Sequence, residues 1–196
     1  MASPRDHLYE RLFQPWALPE AEWPLAREDW DRVLAITALP WQGRVLDIGS
    51  GDGTLGALVA SRNPLVTQLW GVEPDPDQVA QADRLWHGWP ASWGSSWPPD
   101  VMPRFDGALV AEVLEHLTPE DGLSLLRRVK AACRPGALVV VTVPNVGGSR
   151  ADYPGHLRWF SSVDLDQLLQ EAGFPLAAHS TIAATNPIWL MAVCHA

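Results

Sequence analysis

Three groups of residues in this chain have types and spacings that could do chemistry. The first is Asp47-Ile48-Gly49-Ser50-Gly51-Asp52-Gly53, an acid followed by three alternating glycines. A strand that turns sharply into a helix needs residues that tolerate positive φ and let a ligand approach the backbone, and glycine does both. The spacing is neither the dinucleotide fingerprint G-x-G-x-x-G nor a phosphate loop ending in GK[ST]. An acid two positions before the first glycine sits badly beside a pyrophosphate, so Asp47 suits a ligand carrying a positive group. The second is Glu73, which closes the next apolar run. It lies close to the ~20-residue offset at which a carboxylate meets ribose hydroxyls in nucleotide-binding α/β sheets, and one carboxylate can accept two such bonds and fix a sugar. The third is Glu112-Val113-Leu114-Glu115-His116. In a helical turn positions i, i+3 and i+4 share a face, so Glu112, Glu115 and His116 are expected to converge. With His156 arriving from a later loop, they offer either a mixed oxygen and nitrogen set for a divalent metal or an imidazole base.

The elements that must position these groups follow from the hydrophobic pattern. Val45 to Ile48, Leu69 to Glu73, Gly107 to Ala111 and Val139 to Val143 read as strands, with a further short one near Ala91 to Trp93. Thr54 to Ala60 and Pro76 to Leu85 read as helices, as does a segment capped by Thr118 and running to about Cys133, where Pro135-Gly136 stop it. Ser162 or Asp164 opens another helix ending at Gly173. Leu176 to Ile182 and Ile188 to Val193 read as two strands joined across Asn186-Pro187, which pair antiparallel if they pair directly. Strands alternating with helices imply parallel pairing with helices on both faces. The expected architecture is an α/β, Rossmann-like, doubly wound, mostly parallel sheet with a C-terminal antiparallel hairpin. Residues 1–40 read as an N-terminal arm, partly helical between Arg27 and Leu39 and a lid over substrate; residues 41–196 form the domain itself.

Taken together, Val45 to Gly53, Gly71-Val72-Glu73-Pro74-Asp75, Phe105 to Leu117 and Arg134 to Asn145 resemble a class I S-adenosylmethionine-dependent methyltransferase, from about Gln42 to the C-terminus. The resemblance implies that Gly49, Ser50, Gly51 and Gly53 wrap the methionine part of S-adenosylmethionine. Asp47 then supports that loop or the ligand's amino group, Glu73 holds the ribose, Pro74 presses on adenine, and Glu112 lines the cofactor site. Trp93-Gly94-Ser95-Ser96-Trp97 stands where the family usually places an acid beside adenine, which leaves Ser95 or Ser96 for that contact. Small-RNA 3′-terminal ribose 2′-O-methyltransferases carry a similar E-x-x-E-H and a later histidine. By that likeness Glu112, Glu115, His116 and His156 are metal ligands, although the family's longer pattern around the late histidine is absent here. E-V-L-E-H-L is equally at home in small-molecule enzymes without metal, where His116, and after it His156, is the catalytic base. The expected acceptor is oxygen or nitrogen of a small molecule. RNA is the alternative, and a non-catalytic cofactor-binding partner subunit is the third reading.

Composition sets the outer limits. The chain has 196 residues, 47% of them hydrophobic and 19% charged, enough for one domain's core and too little charge for disorder. A net charge of −9 argues against a general polyanion binder. The charge is uneven, however, since Arg127, Arg128, Lys130, Arg134, Arg150 and Arg158 face only Asp152 between Gly122 and Val163. These are expected to be basic residues near a helix end and on solvated loops, with a local anionic-substrate surface as the sharper option. The apolar runs are too short to span a membrane, and no basic and then apolar leader opens the chain, so a cytoplasmic location is expected. Two distant cysteines, Cys133 and Cys194, form neither a disulfide framework nor a metal cluster. Trp86, Trp89, Trp93 and Trp97 sit among prolines. They either order over a ligand or fold back onto the core.

Overall fold

The computed structural model describes residues 27–99, 104–146, 155–175, 178–182 and 188–196. The amphipathic turn expected near Leu8 to Phe13 lies outside them. The chain runs α1 (Arg27–Thr37), β1 (Gly43–Ile48), α2 (Thr54–Arg62), β2 (Val66–Val72), α3 (Pro76–Leu85), β3 (Ala91–Gly94) and β4 (Phe105–Ala111). After a 3₁₀ turn over Leu114–His116 come α4 (Pro119–Ala132), β5 (Cys133–Pro144), α5 (Ser162–Glu171), β6 (Ala178–Ile182) and β7 (Trp189–His195). The strands form one seven-stranded sheet in the order β3-β2-β1-β4-β5-β7-β6. Pairing is parallel from β3 through β5 and antiparallel for β5 with β7 and β7 with β6. This is the doubly wound sheet with a C-terminal hairpin expected of a class I methyltransferase. The later strand of the hairpin inserts beside β5 and leaves β6 at the edge.

Alternation along the strands divides the core. Leu46, Ile48, Val110, Val139 and Val141 face α4 and α5, packing on Leu126, Val129, Leu165 and Leu169. Val45, Leu69, Leu109 and Val140 face the other way, against Ile36, Trp41 and Val59. The period of two also puts Asp47 on this second face, beneath α2. Trp30, Val33 and Ile36 of α1 are buried there with α2 and α3, so this helix of the expected arm is a core element. Trp41 adds a hydrogen bond from its indole N–H to Ile36 O at 2.8 Å. No described helix is long and apolar enough to cross a membrane.

One local expectation needs correction. The strand expected from Val139 begins at Cys133, with its register against β4 shifting between Cys133 and Leu138, where Gly136 takes φ 82° and its N–H donates to Ala196 O. Of the two expectations for the tryptophan segment, folding back onto the core is the one observed for Trp86 and its neighbours. Trp86 is buried, its N–H donates to Asp52 O at 2.9 Å, and it meets Trp89 edge to face. Trp97 lies under the Arg128 guanidinium, 4.3 Å from it.

Trp93 explains two glycines. A Cβ on Gly71 would lie 2.2 Å from the Trp93 ring and one on Gly53 would lie 2.6 Å from it. Both glycines are therefore required by the indole between them. Gly71→Ala is expected to lower stability by about 1–3 kcal/mol through overpacking. The same change in a Trp93→Leu background should cost clearly less, as read by urea unfolding of the four proteins of the cycle.

Candidate functional site

The carboxyl ends of β1 and β4 are neighbours whose connections leave in opposite directions, and ligands of open α/β sheets sit outside such a switch point. The β1 side is the glycine turn. Gly49, Gly51 and Gly53 all have positive φ, at 68°, 53° and 76°. A Cβ on Gly51 would meet nothing nearer than Gln78 Oε1 at 4.0 Å, so the turn presents bare backbone to open space there. Glu73, at the end of β2, holds the turn: Oε2 accepts from Gly51 N–H at 2.9 Å and Oε1 from Asp75 N–H at 3.0 Å. Each oxygen keeps a lone pair for a further donor. Pro74 follows directly, and Asp75 caps α3 through Asp77 N–H.

Asp47 works from behind. It is 2% exposed and accepts from the N–H of Gly56, one of the donors that the start of α2 leaves unpaired. Of its two expected roles, support of the loop is the one the geometry provides. Burial pushes its carboxyl up to about 7, the Glu73 charge adds to this, and the Gly56 bond opposes it. Ser50 is also buried and faces Gly71, so its hydroxyl points away from the crevice. Ser95 is exposed just past β3, next to the Gly94 carbonyl that accepts from Glu73 N–H at 3.0 Å.

The β4 side departs from expectation. Glu112 has φ 58°, the only positive value of a non-glycine among the described residues, and the 3₁₀ turn starts after it. Its backbone therefore lies off the turn that carries Glu115 and His116, although its carboxyl still faces that of Glu115 closely enough for each to shift the other's pKa. Its Oε1 accepts from Thr142 Oγ1 at 3.0 Å and lies 3.5 Å from Arg32 Nη1. Burial raises its pKa and Arg32 opposes the rise. Of the four residues expected to hold a metal, Glu115, His116 and His156 have ligand atoms within 4.8 Å of one another, and Glu112 adjoins this cluster through Glu115.

Glu115 is fully buried, and its carboxylate oxygens have no hydrogen-bond partner among the described residues. Burial pushes it up to about 7. Its carbonyl accepts from Leu157 and Arg158 N–H at 2.7 and 3.2 Å, which docks the late loop onto the turn. His156 is brought to His116 by this docking, with ring centroids 5.0 Å apart. His116 Nδ1 lies 3.0 Å from Gly155 O. A carbonyl only accepts, so Nδ1 carries the proton and Nε2 is left as an acceptor. The sequence pattern had found these residues but not the Arg32 contact, which depends on where α1 docks.

The described basic residues between Gly122 and Val163 are engaged within the chain, and Arg150 lies outside the described residues. Arg127 and Lys130 donate to the carbonyls of Glu171 and Gly173, and Arg134 pairs with Asp106. Arg158 lies over Phe160.

Comparison with known proteins agrees with this geometry. A family model described as a methyltransferase domain matches residues 23–179. No curated protein gives a match. Among solved structures, a chain from the complex of the Haloferax volcanii Trm112 methyltransferase activator with a methyltransferase superposes with a TM-score of 0.72 at 15% identity, covering 99% of this chain and 97% of that one. Magnesium protoporphyrin IX methyltransferase (ChlM) from Synechocystis PCC 6803, solved with bound S-adenosylhomocysteine, gives 0.67 at 14% identity over 99% of this chain and 95% of that one. The O-methyltransferase NcsB1 from neocarzinostatin biosynthesis, in complex with S-adenosylmethionine and 2-hydroxy-5-methyl naphthoic acid, gives 0.67 at 21% identity over 85% of this chain and 56% of that one.

Asp47 makes stability depend on pH. An unfolded aspartate titrates near 4, so the folded chain binds the extra proton between about pH 4 and 7. Stability present below that window is lost as pH rises through it, by up to about 1.4 kcal/mol per pH unit. Asp47→Asn keeps an acceptor for Gly56 and removes this loss. Urea unfolding of both proteins should show the variant gaining on the wild type as pH rises from about 4 to 7.

Proposed function

We propose a small-molecule acceptor for this chain, which belongs to the methyltransferase domain family and is an S-adenosylmethionine-dependent methyltransferase. The cofactor supplies, when bound, an electrophilic methyl group on a sulfonium. The chain's own residues do the rest. The bare face of Gly51 lets the methionine part approach the backbone, and Glu73 takes the ribose hydroxyls on lone pairs not used by Gly51 and Asp75. Pro74 and the Gly94-Ser95 bend flank the place left for adenine. His116 carries the acceptor chemistry. Held by Gly155 O, it presents Nε2 to take a proton from an attacking hydroxyl or amine as the bond to carbon forms. This orientation is the observation on which the reading rests. The internal engagement of the basic residues favours a small acceptor over a polyanion, and ChlM and NcsB1 carry small-molecule acceptors in their names or bound ligands.

Replacing Glu73 by Ala removes charge-assisted hydrogen bonds and should weaken S-adenosylhomocysteine by about 10–100-fold, or 1.5–3 kcal/mol. Gly51→Val fills the open side of the turn and should abolish binding. Calorimetry checks both, and unchanged affinity in the two variants would remove this assignment of the site.

A second reading is favoured by the cluster of Glu115, His116 and His156. A buried carboxylate that accepts no donor among the described residues, beside two imidazoles, is a donor set that fits manganese, cobalt or iron better than magnesium. These residues would hold the ion, and the ion would lower the pKa of a coordinated acceptor hydroxyl, as on a terminal ribose of RNA. The readings separate in His116→Ala and His156→Ala. With His116 as base and no metal, His116→Ala loses rate without losing cofactor affinity, and neither a chelator nor His156→Ala acts through an ion. With a metal, manganese titration shows a site in the wild type that both variants lose.

A further inference from the structure

Arg32 ties α1 to the crevice, and its surroundings show a built contact. The helix buries Trp30, Val33 and Ile36 against α2 and the sheet, which fixes where Arg32 emerges. Its side chain is 14% exposed and that of Glu112 is 22% exposed. The guanidinium lies 4.7 Å from the centroid of the Trp189 ring, at the start of β7, and Nη1 reaches Glu112 Oε1 at 3.5 Å. Thr142, fully buried on β5, donates to the same oxygen and accepts from Glu112 N–H through its carbonyl at 3.0 Å. Neither donor takes Oε2. Glu112 is the first residue beyond β4 and adopts φ 58°. Its neighbour Val113 packs so closely on the glycine turn that its methyl lies 2.4 Å from where a Gly49 Cβ would be. The carboxylate is thus held beside the junction of the β1 and β4 turns by Arg32 of α1 and Thr142 of β5.

We infer that Arg32 is a positioning residue for the cofactor: clamped between Trp189 and Glu112, it holds the Glu112 carboxylate in the crevice to accept hydrogen bonds from the α-ammonium of the methionine part. The inference rests on the methyltransferase reading above. An ammonium brings three donors and a full positive charge, and a partly desolvated carboxylate is the matching acceptor. Without the guanidinium, Glu112 would be left with Thr142 and, facing it, the Glu115 carboxyl, whose charge opposes its own, and both its direction and its charge would be less well kept. A guanidinium on an aromatic face has fewer ways to turn than a lysine ammonium, which suits a residue whose task is to aim another.

The experiment is calorimetry of the full chain with two probes, S-adenosylhomocysteine and 5′-methylthioadenosine, which keeps the adenosine and the sulfur but lacks the amino acid part. Arg32→Met should weaken S-adenosylhomocysteine by about ten-fold and change 5′-methylthioadenosine by less than about two-fold. Arg32→Lys, which keeps the charge and folds with the least disturbance, should recover part of the loss. Glu112→Gln should show the same selective weakening. Equal losses for both probes would mean a merely structural role and overturn the inference, as would unchanged affinity in Arg32→Met. Tighter S-adenosylhomocysteine binding by Glu112→Gln would mean that Arg32 itself seeks the ligand's carboxylate, and would overturn it too. Wild-type protein that binds neither probe would overturn the cofactor assignment along with the inference, whereas binding of both probes without selectivity overturns the inference alone.

Discussion

The Glu73 carboxylate is the contact on which the crevice depends. Its two oxygens take the N–H groups of Gly51 and Asp75, so one side chain fixes both the glycine turn after β1 and the turn into α3. Glycines make the turn possible but do not choose its shape, since each can take many backbone conformations. The choice comes from Glu73 in front and Asp47 behind, the latter bound to the start of α2. The two carboxylates repel each other across the turn, and this repulsion adds to what burial does to Asp47. Among the described residues no basic side chain joins these two acids on the glycine loop.

The second half of the crevice is keyed to the first by Val113 on Gly49. From there the turn after β4 reaches in two directions. Glu112 goes toward α1 and β7, while Glu115 and His116 go toward the late loop, which is docked through two backbone bonds to the Glu115 carbonyl. The change of backbone hand at Glu112 divides this short segment, yet the Glu112 and Glu115 carboxyls still influence each other across it.

The sheet was legible because its strands alternate between two buried faces, and the positions of Asp47 and Glu73 at strand ends follow from the same pattern. The order of the hairpin was not legible, since alternation cannot say whether β6 or β7 pairs with β5. Spacing does not show that the backbone of Glu112 leaves the helical turn of Glu115 and His116, nor that its carboxylate meets Thr142 and Arg32, both distant in sequence. Trp93 shows the same limit from the other direction. Gly53 reads as a ligand-facing glycine, but the space beside it is filled by an indole from β3. Local spacing singled out residues whose types could do chemistry. Long-range packing decided which way each of them faces.

The most direct test of this account is a crystal structure of the chain with S-adenosylhomocysteine. The account predicts the ligand in the crevice between β1 and β4, with its ribose hydroxyls on Glu73, its methionine part over Gly51, and the Gly51 and Asp75 bonds to Glu73 kept. A ligand whose ribose lies away from Glu73, or a crevice that stays empty while the ligand binds elsewhere, would contradict it.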